Sequence, residues 1–172
     1  MAMILLIFHV TAIAQGAAKE VALGALAEAA YKQYAWVAVF GTTQPAGSVP
    51  LALESQVKLK EIFASDLARA LKEDSQCAER SQEVCKIDFD ILYDSQDPFA
   101  ADLAFKLAPD GGSVEACFKD ASGNQQCLTL VGGCDQGRER IADIIYPGHA
   151  SLRQTLGLSQ KPKGESCSNR RI

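Results

Sequence analysis

The sequence predicts an α+β domain, with N-terminal helices packed on a curved antiparallel sheet. Three observations carry that expectation. Apolar residues recur at helical spacing up to about residue 72. After Cys85 the apolar period shortens from 3.6 to two. A hairpin signature and a further apolar run then follow as a meander, and helices followed by a meander are an α+β plan.

Taken in order, Gly16 to about Phe40 is Ala-rich, and Val21, Ala25, Ala29 and Trp36 are spaced for one helical face. Tyr31, Tyr34, Trp36 and Phe40 on the same helix suit core packing, or alternatively the floor of an apolar pocket. Gly41 and TTQPAGSVP end this region. A second helical region runs from about Leu53 to Lys72, with Val57, Ile62, Phe63, Leu67 and Leu71 inward and a fresh turn capped at Ser65-Asp66.

Beyond Cys85, Ile87, Phe89, Ile91 and Tyr93 predict one strand, and Leu103, Phe105 and Leu107 another. In VEACFKDASGNQQCLTL, Asp120 and Asn124 close the loop Ala121-Ser122-Gly123, with glycine where such loops need a left-handed residue. That register sets Cys117 opposite Cys127 on the wet face, and Val114, Ala116 and Phe118 opposite Leu130, Leu128 and Gln126 on the other. RERIADIIY reads as a last strand, and SLRQTLG as a short closing helix stopped by Gly157.

The opening MAMILLIFHVTAIAQG has no Lys, Arg, Asp or Glu before Gly16, and Ala12 and Ala14 give the small-x-small pattern of signal peptidase substrates. The expected organisation is a signal peptide over 1–14, one domain over 15–158 and a polar tail over 159–172. The apolar run is shorter than the roughly 20 residues of a membrane span. All six cysteines fall after it. An even number behind an export signal reads as a disulfide framework. Cys117 pairs with Cys127 by register, Cys77 with Cys85 by bracketing a polar loop, and Cys134 with Cys167 as the remainder. A zinc site is disfavoured, because there is no CxxC and His149 is the sole histidine of the exported part. The net charge of −4 on a well-mixed chain argues against nucleic acid as a partner.

DILYDSQDP (90–98), followed by the hairpin strands and then by RIADIIY (140–146) and SLRQTL (151–156), resembles the bacterial domain of unknown function 3828 family. The resemblance covers roughly Ala29 to Leu158. It implies an exported protein with a nuclear-transport-factor-2-like, cystatin-like cone, and it implies no established activity. One departure stands out: Arg138-Glu139 precedes Arg140 where the family typically has Gly-Trp.

CKIDFDILYDSQDP carries Asp88, Asp90, Asp94 and Asp97. On a strand, Asp88 and Asp90 would share a face about 7 Å apart, a spacing open to acid–base or cation chemistry. The glycine and distal bidentate acid of a calcium loop are absent, and Asp before Pro is an ordinary turn former. The preferred reading is a half-exposed strand entering a structural turn at Gln96, Asp97 and Pro98, with the Gln96 and Asp97 side chains bonding turn backbone. Asp90, Arg140, Asp143, Tyr146 and Arg153 are the candidate pocket-lining or surface-binding residues. Arg140 and Tyr146 share one strand face and Asp143 takes the other, so they meet only across a bulge. A Ser151–His149–Asp143 triad is disfavoured, since nothing resembles a nucleophile elbow. No residue is assigned as catalytic, and no metal or cofactor is expected.

These readings favour an exported, periplasmic or secreted protein of non-catalytic binding or protective type, an immunity protein against a periplasm-delivered toxin being one form. Its expected partner is a protein or a small apolar ligand, and the chain itself a monomer or homodimer. The alternatives are a small pocket enzyme of isomerase or hydratase type and an envelope accessory domain.

Overall fold

Leucine and tyrosine, not alanine, choose the face that the first helix buries. The computed structural model describes residues 11–39, 43–108, 112–160 and 167, with the side chains of 11–22 outside that description. Helix α1 runs Thr11–Tyr34, and a single 3-10 turn, Ala35–Val37, follows. Leu23, Ala27, Ala30, Tyr31 and Tyr34 are buried, whereas Ala25 and Ala29 are exposed and Trp36 is half-buried. The face expected from the alanine spacing is therefore corrected. Burying two tyrosines and a leucine removes far more apolar area from water than burying alanines. The side chain of Val21, Phe40 and residues 1–10 of the expected signal peptide lie outside the described residues.

The second helical region is two helices. Ser55 caps α2 (Gln56–Ile62) by accepting from the Lys58 amide, and α3 (Ser65–Ser81) runs beyond the expected end at Lys72. The break at Phe63-Ala64 is made by the sheet: Phe63 bridges Ile141, and the Ala64 amide donates to the Ile141 carbonyl at 3.0 Å. Val57, expected inward, is 71% exposed. Leu59, Ile62, Phe63, Leu67 and Leu71 are buried.

Strands β1 (Ala101–Leu107), β2 (Ser113–Lys119), β3 (Gln125–Asp135) and β4 (Arg138–Ile145) form an antiparallel sheet in the order β1-β2-β3-β4. The architecture is α+β, as the pattern predicts. The hairpin register also holds, with Cys117 opposite Cys127 and Val114, Ala116 and Phe118 opposite Leu130, Leu128 and Gln126. Its loop closes through the Asp120 amide onto the Asn124 carbonyl, 2.9 Å, with Gly123 at φ 81°. The covalent pairs are Cys77–Cys85, Cys117–Cys127 and Cys134–Cys167. Helix α1 lies against β1, β2 and β4. Between them, Tyr31 meets Phe105 and Tyr93 edge-on at 5.2 and 5.5 Å, and Tyr93 meets Phe118 at 5.4 Å, so aromatic rings fill the space over the sheet. The closing helix α4 (Leu152–Thr155) has the capping box of Ser151 and Gln154.

One predicted strand is absent. Residues 87–93 are irregular and end in a turn over Ile91–Asp94, closed by the bridge between Asp90 and Ser95. Ile91, Leu92 and Tyr93 are consecutive and all buried, which a strand with one wet face cannot achieve. Their backbone is satisfied by side chains from elsewhere. The Tyr31 hydroxyl donates to the Leu92 carbonyl at 2.7 Å and the Tyr146 hydroxyl to the Ile91 carbonyl at 3.2 Å. Burial pushes the pKa of both phenols well above the ordinary range, which keeps them protonated donors.

Tyr93, in contrast, holds a buried hydroxyl with no hydrogen-bond partner among the described residues. Two substitutions therefore separate the roles of these rings. Tyr31→Phe strands a buried carbonyl and is expected to lower stability by about 1–2 kcal/mol, whereas Tyr93→Phe is expected to leave it unchanged or raise it. Urea denaturation of both variants, with the slope unchanged, checks this.

Candidate functional site

The sequence-predicted site residues fall into two groups that do not meet. The first lines a groove of about 300 Å³ between the 3-10 turn Leu51–Leu53, helix α3 and the segment 87–98. Val37, Leu53, Leu71, Ile87, Phe89 and Pro98 form its apolar walls, and Asp74, Asp88 and Asp90 its acids. Of the predicted residues, Asp90, Gln96 and Pro98 are here.

Each acid is held by a different local device. Asp74 sits on the inner stripe of α3, one turn beyond Leu71, and accepts from the backbone amides of Lys86 and Ile87 at 2.9 and 3.3 Å. Asp88 is exposed and accepts from the Gln96 amide at 2.9 Å. Asp90 Oδ1 accepts from the Leu92 amide at 2.9 Å, folding the turn around its own side chain. Burial raises the Asp90 pKa above the usual carboxylate range, and the backbone amides of Leu92 and Tyr93 offset part of that. The turn is thus held by Asp90. Gln96 bonds Asp88 in place of the turn backbone expected of it, and Asp97 is exposed. Asp88 and Asp90 are not strand neighbours, so the face-sharing pair expected of them does not form.

The second group ties elements together. Strand β4 carries an extra residue, Ala142, because Val131 pairs with Asp143 while Gly132 pairs with Ile141. Even with this bulge, Arg140 and Asp143 on β4 and Tyr146 just after it do not converge. Arg140 donates from Nε to the Lys60 carbonyl at 2.7 Å, at the C-terminal end of α2. Asp143 Oδ1 accepts from the amides of Ile144 and Arg153, both at 2.9 Å. Tyr146 is in the core.

Arg153 is 2% exposed. Its guanidinium donates to Asp66 Oδ2 at 2.9 Å, to the Ser159 carbonyl at 2.9 Å and to the Ala142 carbonyl at 3.4 Å. It joins α3, β4 and the segment after α4, and it is not available to bind a partner.

No triad assembles. Asp143 is engaged as above, Ser151 caps α4, and His149 Nε2 lies 2.7 Å from Asp94 Oδ1 while stacking on Tyr146. In the groove, the one hydroxyl nucleophile among the lining residues, Ser75, donates to the Lys72 carbonyl at 3.0 Å. The lining includes no His, Cys, Lys or Arg. Among the described residues no three His, Cys, Asp or Glu side chains gather as a metal site requires, and no helix is long and apolar enough to cross a membrane.

Sequence reasoning missed Leu53, Leu71, Asp74, Ile87 and Phe89 as groove residues. A signal existed for one of them: Asp74 falls on the stripe Leu67, Leu71, Asp74, Ala78, where an acid has no place unless something satisfies it.

No family model matches the chain, and no curated protein matches it. A solved structure that it resembles is a protein of unknown function from Bacteroides thetaiotaomicron, with a TM-score of 0.50 and 18% identity over 77% of this chain and 95% of that one. The likeness is one of fold.

Two outcomes follow from these geometries. Arg153→Met is expected to cost about 3 kcal/mol by taking the guanidinium away from Asp66 Oδ2 and two carbonyls, and Arg153→Lys does not restore it, since one ammonium cannot span three acceptors. Urea midpoints measure both. For Asp90, the folded pKa lies above the unfolded value of about 3.9, so between those values the folded chain holds a proton that the unfolded chain has released. The carboxyl therefore opposes folding increasingly as pH rises through that window, and levels off above it. Asp90→Asn keeps the acceptor for Leu92 and removes this slope. Its stability relative to wild type is expected to rise from pH 4 to pH 7 in paired denaturation curves.

Proposed function

We propose that this chain is an exported, periplasmic or secreted domain that acts by binding, with an immunity protein against a periplasm-delivered toxin as one concrete form. The observation that carries this reading is the groove. It has apolar walls and hydrogen-bonded carboxylates, and its one lining hydroxyl, Ser75, is bonded to the backbone of its own helix. The three disulfides support an oxidising compartment. Membership of the domain of unknown function 3828 family, which the DILYDSQDP and RIADIIY motifs favour, agrees with export and requires no activity.

The pocket-enzyme alternative has one observation in its favour, the raised pKa of Asp90 in a groove. It would have to run on the groove carboxylates Asp74, Asp88 and Asp90, because Asp143 and Tyr146 do not line the groove.

The test is capture from native envelope extract with the chain expressed from its full reading frame and tagged, followed by native mass spectrometry. A protein partner at near-stoichiometric amount is the expected result. Retention of a small molecule turned over by the chain, with turnover abolished in Asp90→Asn, overturns the binding reading. So does the absence of any partner.

A further inference from the structure

We propose that the groove receives one Lys or Arg side chain of a partner polypeptide, its stem lying on Leu53, Ile87 and Phe89 and its cation among Asp74, Asp88 and Asp90. This rests on the reading of the chain as a binding protein and names what it would bind. The argument is charge complementarity in an apolar groove. Three carboxylates line it, and each is hydrogen-bonded only by backbone amides or by the neutral Gln96 side chain. None of the three takes part in a salt bridge among the described residues. The lysine next in sequence, Lys86, turns its ammonium to the Leu156 carbonyl at 2.7 Å. The negative charge of the groove is therefore left to a ligand.

The rest of the wall selects the kind of cation. A hydrated metal ion gains nothing from Leu53, Ile87 and Phe89, whereas Lys and Arg combine an apolar stem with a charged head. About 300 Å³ is the small end of ligand pockets and suits a single long side chain. A polypeptide is favoured over a free amine because apolar ground continues from the groove past its rim: the lining residue Leu53 is 53% exposed, and Val49, one residue before the lining residue Pro50, is 38% exposed. Residues flanking the inserted cation would rest there.

The probe is a capped pentapeptide with one arginine between two leucines, compared with the same peptide carrying citrulline, a neutral isostere. Trp36, the sole tryptophan, adjoins the lining residue Val37 and serves as the fluorescence reporter, with amide chemical shifts as a second readout. Saturable binding of the arginine peptide is expected, about threefold to tenfold tighter than the citrulline peptide at low salt. Asp88→Asn, at an exposed side chain, is expected to narrow that difference, and Leu53→Lys to abolish binding by placing a cation at the mouth. Urea curves confirm that both variants fold.

Equal binding of the two peptides overturns the inference, as does an Asp88→Asn variant that discriminates like wild type. If neither peptide binds while the full chain still captures a protein from envelope extract, this inference falls and the binding function stands. If neither peptide nor partner is held, both fall.

Discussion

The backbone of Ile91 and Leu92 is the constraint around which the molecule is arranged. These residues bring two peptide carbonyls into the interior together with their apolar side chains, and a buried carbonyl without a donor is costly. No ladder reaches them, so hydroxyls from two distant places do: Tyr31 on α1 and Tyr146 just after β4. The same contacts fix where α1 sits over the sheet and where the segment 85–98 leaves the core. Asp90 completes the turn from within by accepting the Leu92 amide. What lies on the outer side of that segment, the acidic wall of the groove, takes its position from these three side chains.

The polar residues that looked most like a site serve a related purpose at helix ends. The N-terminus of α3 has no cap of its own, and Asp135 at the end of β3 accepts the Ser65 amide at 2.8 Å. Asp143 does the same for the Arg153 amide in the first turn of α4, and Arg140 supplies a donor at the end of α2. Arg153 then joins α3, β4 and the closing segment. Strand-borne charges that satisfy helix termini are indistinguishable in sequence from strand-borne charges that line a pocket. Both are polar residues interrupting an apolar run.

This difference explains which parts of the structure were legible in the sequence. The Cys117–Cys127 hairpin was, down to each cross-strand pair, because glycine at a left-handed loop position and period-two patterning fix register locally. The α+β class followed from the change of period after Cys85. The turn at 91–94 was not legible, since Ile87, Phe89, Ile91 and Tyr93 alternate as a strand would. Only the buried Leu92 between them, and tyrosines about 60 residues away, decide otherwise. The inner face of α1 was misjudged for a similar reason. Spacing offers several stripes, and the one chosen is that whose tyrosines find partners across the chain.

The covalent framework adds an argument about where function resides. Cys77–Cys85 joins the last turns of α3 to the start of the segment 85–98, and those are the two elements that supply Asp74, Asp88 and Asp90. Asp74 reinforces the same junction by holding the amides of Lys86 and Ile87. The segment has no strand pairing beyond the single Asp90–Ser95 bridge, so these ties add to the Tyr31 and Tyr146 hydrogen bonds in holding its wall of the groove. A bridge there reduces the ordering that binding would otherwise require, and preorganised recognition gains affinity by that reduction. Cys117–Cys127, by contrast, locks a hairpin whose register is already set by its loop. The bridge beside the groove is thus the one whose removal should matter more to binding than to fold.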